Sequence, residues 1–546
     1  MFSCDEYTYS EGSAVSAYDY IVVGAGSAGC VLADRLSVDP ANRVLLIEAG
    51  GSDRNPAVSM PKGLAFLMNN PRYVWEYDIE PFGPYRQDEH WIRGKMLGGS
   101  SSLNGMVYNR GSRADYDDIV ARGNPGWGWD EMLRVFRTIE DHALGESEMR
   151  GGGGPLGVSI NHTGEEVSEA LMDAAATVGI KRVEDVNASD EERTGYTPAT
   201  IWRGKRVSSA KAFLHPAAKR PNLTILKNTT ATRVVFDRDR AAGVAVVSAG
   251  GRAGELRANR EVILCAGSLA TPKLLQLSGI GPRDVLTQAG VQVRVDSPRV
   301  GEGMHEHRCF PLQMRLRESK GYNKVLSSPL GQARAGLRYL LSKTGPISTP
   351  AYDMLTFIRA DAVSDRPDAQ VLMTPFSMGV GSVDGRLETR PGLSLLGFVL
   401  RPTSEGSVRI RSADPAQPPR VEMSYVDTDY DRRISVSMFR RMREIVAQHP
   451  IAEMLHGEIE PGIAVEDDDT IVRAGLLYGG TGYHASGACA MGPSDVDPLD
   501  GRLRVRGTTG LRVVDVSIMP AMVSGNLNGP IMAMAWRAAE MILSDA

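Results

Sequence analysis

The feature that most constrains this chain is the order strand, glycine turn, helix, strand at its beginning. Residues 18–23 (YDYIVV) are β-branched and aromatic and run directly into Gly24-Ala25-Gly26-Ser27-Ala28-Gly29. The following CVLADRLSVD spaces its apolar residues at helical intervals, and 43–48 (RVLLIE) reads as a second buried strand. This is the βαβ order of a dinucleotide site. Its glycines allow a tight turn, close backbone approach to a pyrophosphate and helix–strand packing, while the helix N-terminus offers free N–H groups to phosphate. Glu48 closes the second strand 19 residues past Gly29, where a carboxylate accepts hydrogen bonds from ribose hydroxyls. An acid there opposes a 2′-phosphate and so disfavours NADP; it leaves FAD and NAD both open.

A length of 546 residues favours more than one compact unit. The net charge of −5 provides no basic surface for nucleic acid. Five cysteines form neither a CxxC pair nor a metal-binding spacing, and read as reduced thiols. The first residues, MFSCDEYTYSEGSAVSA, are acidic and lack an apolar stretch, so no secretory signal is expected. No run of about 18 apolar residues occurs, so no membrane span is expected either. The expectation is a soluble, cytoplasmic protein.

Two further segments bear on the cofactor. Residues 93–108, RGKMLGGSSSLNGMVY, form a glycine–serine cluster whose small residues let backbone amides approach a flat ring, with Asn104 available at its edge. Residues 261–282, EVILCAGSLATPKLLQLSGIGP, read as a buried strand, a tight turn and a helix with Pro272 in its first turn. Together with the N-terminal fingerprint, these segments resemble two signatures of the glucose–methanol–choline (GMC) oxidoreductases. The likeness continues through 401–426 to LRVVDVSIMP and NLNGP, and so covers nearly the whole chain.

The resemblance implies FAD. It places cofactor contacts at Gly24, Gly26, Ser27, Ala28, Gly29, Glu48, Ala49, Arg93, Gly98, Gly99, Ser100, Asn104, Gly105, Met106, Val107, Ala231, Ala266, Gly267, Asp515, Val516, Asn528, Pro530 and Ile531. Asp515 also reads as a structural acid at a strand end. Members similar to choline oxidase link the flavin to a histidine where this chain has Leu103, so the FAD is expected to be non-covalent.

Alcohol oxidation needs a base for the hydroxyl proton and an acceptor for the hydride. Histidine suits the first task because its ordinary pKa lies near ~6.5. Within HASGACAMG the resemblance gives His484 the role of base, and it gives Asn528, 44 positions on, the role of hydrogen-bonding the substrate oxygen while hydride passes to flavin N5. Pro530 opens an apolar helix whose N-terminus can face charge on a reduced flavin. His305 and His307, in MHEH, are assigned a structural role. The absence of a GxSxG elbow argues against a hydrolase. Non-alcohol flavin chemistry of the lyase or photodecarboxylase type, and non-catalytic flavin binding, are the alternatives; retention of His484 and Asn528 speaks against both.

The expected architecture is α/β plus α+β. A Rossmann-like FAD-binding domain is assembled from 17–165, 200–315 and 468–546, behind a loosely ordered tail at 1–16. A substrate-binding domain, 166–199 and 316–467, is built on a mainly antiparallel sheet flanked by helices. Candidate pocket residues are Tyr352, Asp353, Phe357, Phe376 and Tyr483, which suit an apolar or aromatic primary alcohol better than choline. Oxidase members similar to choline oxidase carry an apolar β-branched residue where Gly482 stands, which tilts the expectation towards a dehydrogenase. The electron acceptor (quinone, protein or O2) is not legible.

Overall fold

The computed structural model describes residues 17–379 and 387–546. The predicted βαβ unit is present: β1 (Tyr18–Val23), α1 (Ser27–Leu36) and β2 (Val44–Ile47), with β1 and β2 parallel and in register from Tyr20↔Val44 to Val23↔Ile47. All four residues of β2 are buried, as a parallel strand covered on both faces requires. The sheet continues through Leu223–Leu226 on one side and the long Ala253–Leu264 strand on the other. That long strand also pairs in parallel with Leu511–Val513, drawing the C-terminal block beside the fingerprint. The Asn528–Asp545 helix, buried over most of its length, packs against α1. Residues from four distant stretches thus share one nucleotide-binding unit.

The second unit is an eight-stranded sheet in the order Leu455–Glu460, Arg308–Leu316, Gly392–Val399, Ala369–Thr374, Met354–Ile358, Arg193–Tyr196, Lys181–Arg182, with Gly480–Thr481 also pairing Arg308–Leu316. It is antiparallel except for its last pair. The helices Asp429–Val446 and Asp468–Tyr478 cover one face; Gly397 and Gly475 give them room, since a Cβ would meet Met438 Sδ at 2.8 Å and the Phe310 ring at 2.1 Å. The strand register puts Leu355, Leu372, Leu396, Phe398 and Cys309 in a separate apolar group with Val107 of the glycine–serine block.

Two expected boundaries move. The strand Arg308–Leu316 belongs to the second sheet, although 200–315 was assigned to the nucleotide unit. The helix Asp468–Tyr478 packs on that same strand, although 468–546 was assigned likewise. In both cases an apolar run contains nothing to say which of two adjacent cores it enters. The expected N-terminal tail lies outside the described residues.

Candidate active site

The candidate cofactor cradle is fixed by two glycines that leave no room for a side chain. A Cβ on Gly24 would meet the Cys265 carbonyl oxygen at 2.5 Å, and one on Gly29 would meet the Gly24 carbonyl at 1.9 Å, locking turn, strand and helix together. Gly26, between them, has its nearest atom at 4.0 Å and opens outward, and Gly267 (φ +92°) faces open space. Glu48 is buried; its two oxygens accept the backbone N–H groups of Ala25 and Gly50, each at 2.8 Å. Burial pushes its carboxyl up to about 7 against those N–H groups and Lys95. An acid held at the end of β2, beside an unobstructed Gly26, fits a nucleotide with a free ribose diol.

The glycine–serine block is secured by Arg206, which the sequence reading did not single out. Its fully buried guanidinium donates to the Val58, Ser101 and Asn104 carbonyls and to Asn104 Oδ1. The Asn104 side-chain oxygen also takes the Met106 N–H, so Asn104 shapes the loop. Met106 is held at φ +64°. Leu103 sits in a small apolar group with Val58, Leu67, Val74 and Met96. Asp515 is spent within the protein: its oxygens accept from Gly267 N–H, Thr271 Oγ1, and both N–H and Oγ of Ser517. Of the two readings given for it, this contact set fits the structural acid.

At the chemical end the structure brings together residues that sequence kept apart. His484 Nδ1 lies 2.8 Å from His307 Nδ1, and His307 Nε2 lies 3.0 Å from the Leu400 carbonyl. His307 stacks on Phe398 with ring centroids 4.3 Å apart. His307, for which a structural role is expected, contacts the candidate base directly. The pairing Arg308↔Thr481 and Cys309↔Gly480 delivers the two histidines to one place. Glu306 Oε1 accepts the backbone N–H of both His307 and His484 at 2.8 Å, and Glu306 Oε2 faces Arg93 Nη2 at 3.8 Å. Tyr483 adopts φ +61°, a left-handed backbone that orders the turn ahead of His484. Gly482 has a steric reason: a Cβ would stand 2.9 Å from both His307 Cβ and His484 Nδ1. The histidine pair accounts for this glycine, which therefore says nothing about the electron acceptor.

The amide facing the base is Asn526. Its Nδ2 donates to His484 Nε2 at 3.0 Å, while its Oδ1 accepts from Asn109 Nδ2 at 2.9 Å and Gln370 Nε2 at 3.4 Å. Asn528, expected in this place, is the first residue of the last helix, and its Oδ1 accepts from Ser27 Oγ of the fingerprint at 2.7 Å. The helix start separates the two: Asn526 precedes it in a loop, and Asn528 stands in its first turn against the cofactor cradle.

These contacts have one consistent direction. The Leu400 carbonyl can only accept, so His307 carries its proton on Nε2 and its Nδ1 accepts. His484 must then donate from Nδ1, leaving Nε2 as the unprotonated nitrogen. Burial lowers His307 to about 3, and burial followed by His307 and Arg93 holds His484 well below its ordinary 6.5. The pair is neutral at physiological pH, with a lone pair on the side of Asn526.

Among the pocket candidates, Tyr352 packs against the apolar group that contains Cys309 and Phe398, and Tyr483, next to His484, has the Arg93 guanidinium 5.7 Å from its ring. Phe357 is buried in the same apolar group as Phe398 and Leu400, with the Arg193 guanidinium 4.1 Å from its ring. Asp353 is buried close to Lys62, which lies 5.6 Å from the Phe376 ring.

Such a cradle and histidine pair define a flavin-dependent oxidoreductase. Two models described as GMC oxidoreductase match residues 18–309 and 402–535, and the chain belongs to that family. The chain is 39% identical to the oxygen-dependent choline dehydrogenase of Photobacterium profundum, over 97% of its own length and 94% of the relative's. It is 39% identical to human mitochondrial choline dehydrogenase, covering 96% and 89%. Pyridoxine 4-oxidase from Mesorbium loti superimposes with a TM-score of 0.86 at 31% identity, covering 96% of this chain and 98% of that one. Formate oxidase gives 0.88 at 26%, covering 97% and 98%. The protein is an FAD-dependent alcohol oxidoreductase. Among the described residues no helix is long and apolar enough to cross a membrane.

Proposed function

We propose that this chain oxidises a primary alcohol to the aldehyde, with His484 Nε2 as the base. The observation that carries this reading is the directed chain from Asn526 through His484 and His307 to the Leu400 carbonyl, which leaves one basic nitrogen beside one amide donor. The two nitrogens are 3.0 Å apart and bonded to each other, so a substrate oxygen that settles beside both replaces that bond with one to each. His484 takes the hydroxyl proton, and Asn526 Nδ2 donates to the oxygen as negative charge develops there. Bound FAD supplies the hydride acceptor. Gly24, Gly26, Gly29, Glu48 and the 98–105 loop would hold it, with Leu103 offering no nitrogen for a covalent link.

The local chemistry favours an uncharged, apolar or aromatic alcohol. The walls near the pair are Phe398, Leu400, Cys309, Tyr352 and Tyr483, and the acid touching it, Glu306, is committed to two backbone N–H groups and faces Arg93. Asp353 is offset by Lys62. Among the described residues the carboxylate nearest the pair, Glu306, already has Arg93 as its cation, which disfavours a quaternary ammonium there. The second reading, choline, rests on the names of the relatives. Anaerobic titration of the holoenzyme with benzylic alcohols and with choline separates the two: bleaching by choline alone would reject the first reading. Admitting air afterwards tells whether O2 reoxidises the flavin.

A further inference from the structure

From Ser319 to Tyr352 the chain carries five Lys or Arg residues and no Asp or Glu, within a protein of net charge −5. At the centre of this stretch is the helix Pro329–Ser342. Only Ala335 and Tyr339, one turn apart, are fully buried along it. Leu330, Leu337, Leu340 and Leu341 are 63%, 58%, 67% and 80% exposed. Leu330, Leu337 and Leu341 recur at intervals of seven and four, which places them on one stripe, with Arg334 inside it. Lys324, Arg334, Arg338 and Lys343 form no ion pair with another described residue. The turn Pro346–Ser348 that follows the helix packs against Pro61–Phe66, whose Phe66 is 74% exposed.

We propose that this helix docks the protein on an anionic lipid bilayer surface. An exposed leucine stripe flanked and interrupted by unpaired cations is the pattern of a helix lying in the interface plane, its apolar side chains about 5–10 Å deep among the headgroups. Fourteen residues span only about 21 Å, too short for a hydrocarbon core of about 30 Å. A second copy of the chain is a poorer occupant, because two such faces would oppose like charges with no acid in the segment to answer them. The orientation has a consequence for the site. The segment after the helix reaches Lys62, which donates to the Pro350 carbonyl, and Ala351, whose N–H donates to the Gly105 carbonyl. Docking there sets one wall of the active site close to the membrane, where an apolar alcohol or a lipid-soluble electron acceptor is concentrated.

Co-sedimentation of the holoenzyme with phosphatidylcholine vesicles, with and without one-quarter phosphatidylglycerol, tests this. The expected result is binding to the anionic vesicles, weakened at least about tenfold in 0.5 M salt, by Leu337→Gln/Leu341→Gln and by Arg334→Gln/Arg338→Gln. Alcohol-dependent flavin reduction in solution should match the parent in both double variants. No binding to anionic vesicles, equal binding to neutral ones, or unaltered binding by both variants would each overturn the proposal. So would a concentration-dependent dimer, dissolved by the leucine variant, in a protein that ignores vesicles.

Discussion

Nδ1 of His307 stands 2.8 Å from Nδ1 of His484, and this contact decides which nitrogen of His484 is free. Because His307 Nε2 donates to the Leu400 carbonyl, its Nδ1 must accept, and Nε2 of the proposed base His484 is left unprotonated, accepting from Asn526 Nδ2. His307 is thus a positioning residue. His307→Ala should retain FAD and slow alcohol-dependent flavin reduction by about 10–100-fold, the usual cost of losing an orienting partner. His307→Asn, whose Oδ1 can replace the accepting Nδ1, should recover part of that loss. Equal rates in the two variants would show that only packing is at stake.

The two asparagines should separate. Asn526→Ala removes the donor beside His484 Nε2 and should lower the limiting reduction rate with little change in flavin content. Asn528→Ala removes the acceptor for Ser27 Oγ and should weaken FAD retention while the loaded fraction still turns over. Flavin-to-protein ratios and stopped-flow traces on both variants check this; the opposite assignment follows if the effects are exchanged.

The acid limb carries a signature. His484 is held well below 6.5 by burial, so its base form persists and flavin reduction should stay level as pH falls from 8 to below 6.5. His307 drops to about 3 from 6.5, so in that interval the unfolded chain binds a proton that the folded chain does not. Its contribution to stability is complete above pH 6.5 and is lost as pH falls towards 3. Glu306, raised by burial to about 7 from 4.5, acts oppositely: its contribution is complete below 4.5 and lost as pH rises through 7. His307→Asn should therefore flatten the decline of Tm on the acid side, and an unchanged profile would contradict this.

Leu103, packed among Val58, Leu67, Val74 and Met96, has no atom with which to bond a flavin. Acid precipitation of the holoenzyme should leave all yellow colour in the supernatant. Colour retained in the pellet would mean a covalent link elsewhere.

Local signals in the sequence were enough for the cofactor end. The βαβ unit, Glu48 and the glycine–serine block are each written in contiguous residues whose chemistry is backbone geometry, and they were readable. His307 was not, because it meets His484 across 177 positions through a two-residue strand pairing that no periodicity reveals. Asn526 and Asn528 are the same residue type two positions apart. Only the helix boundary distinguishes them, together with Gly525 at φ +91°, where a Cβ would press on Asn109 Nδ2 at 2.5 Å. Arg206 was missed for a different reason: a buried arginine that ties carbonyls has no sequence signature.

The proposed reaction stands on His484 removing the proton of an alcohol beside bound FAD. The most direct measurement is anaerobic stopped-flow loss of oxidised-flavin absorbance, comparing the unaltered protein with His484→Ala at matched FAD content and saturating alcohol. Rapid bleaching is expected in the first and a rate lower by about 10²–10⁴-fold in the second, the span of general base catalysis. Bleaching of the His484→Ala protein at the parental rate would contradict it.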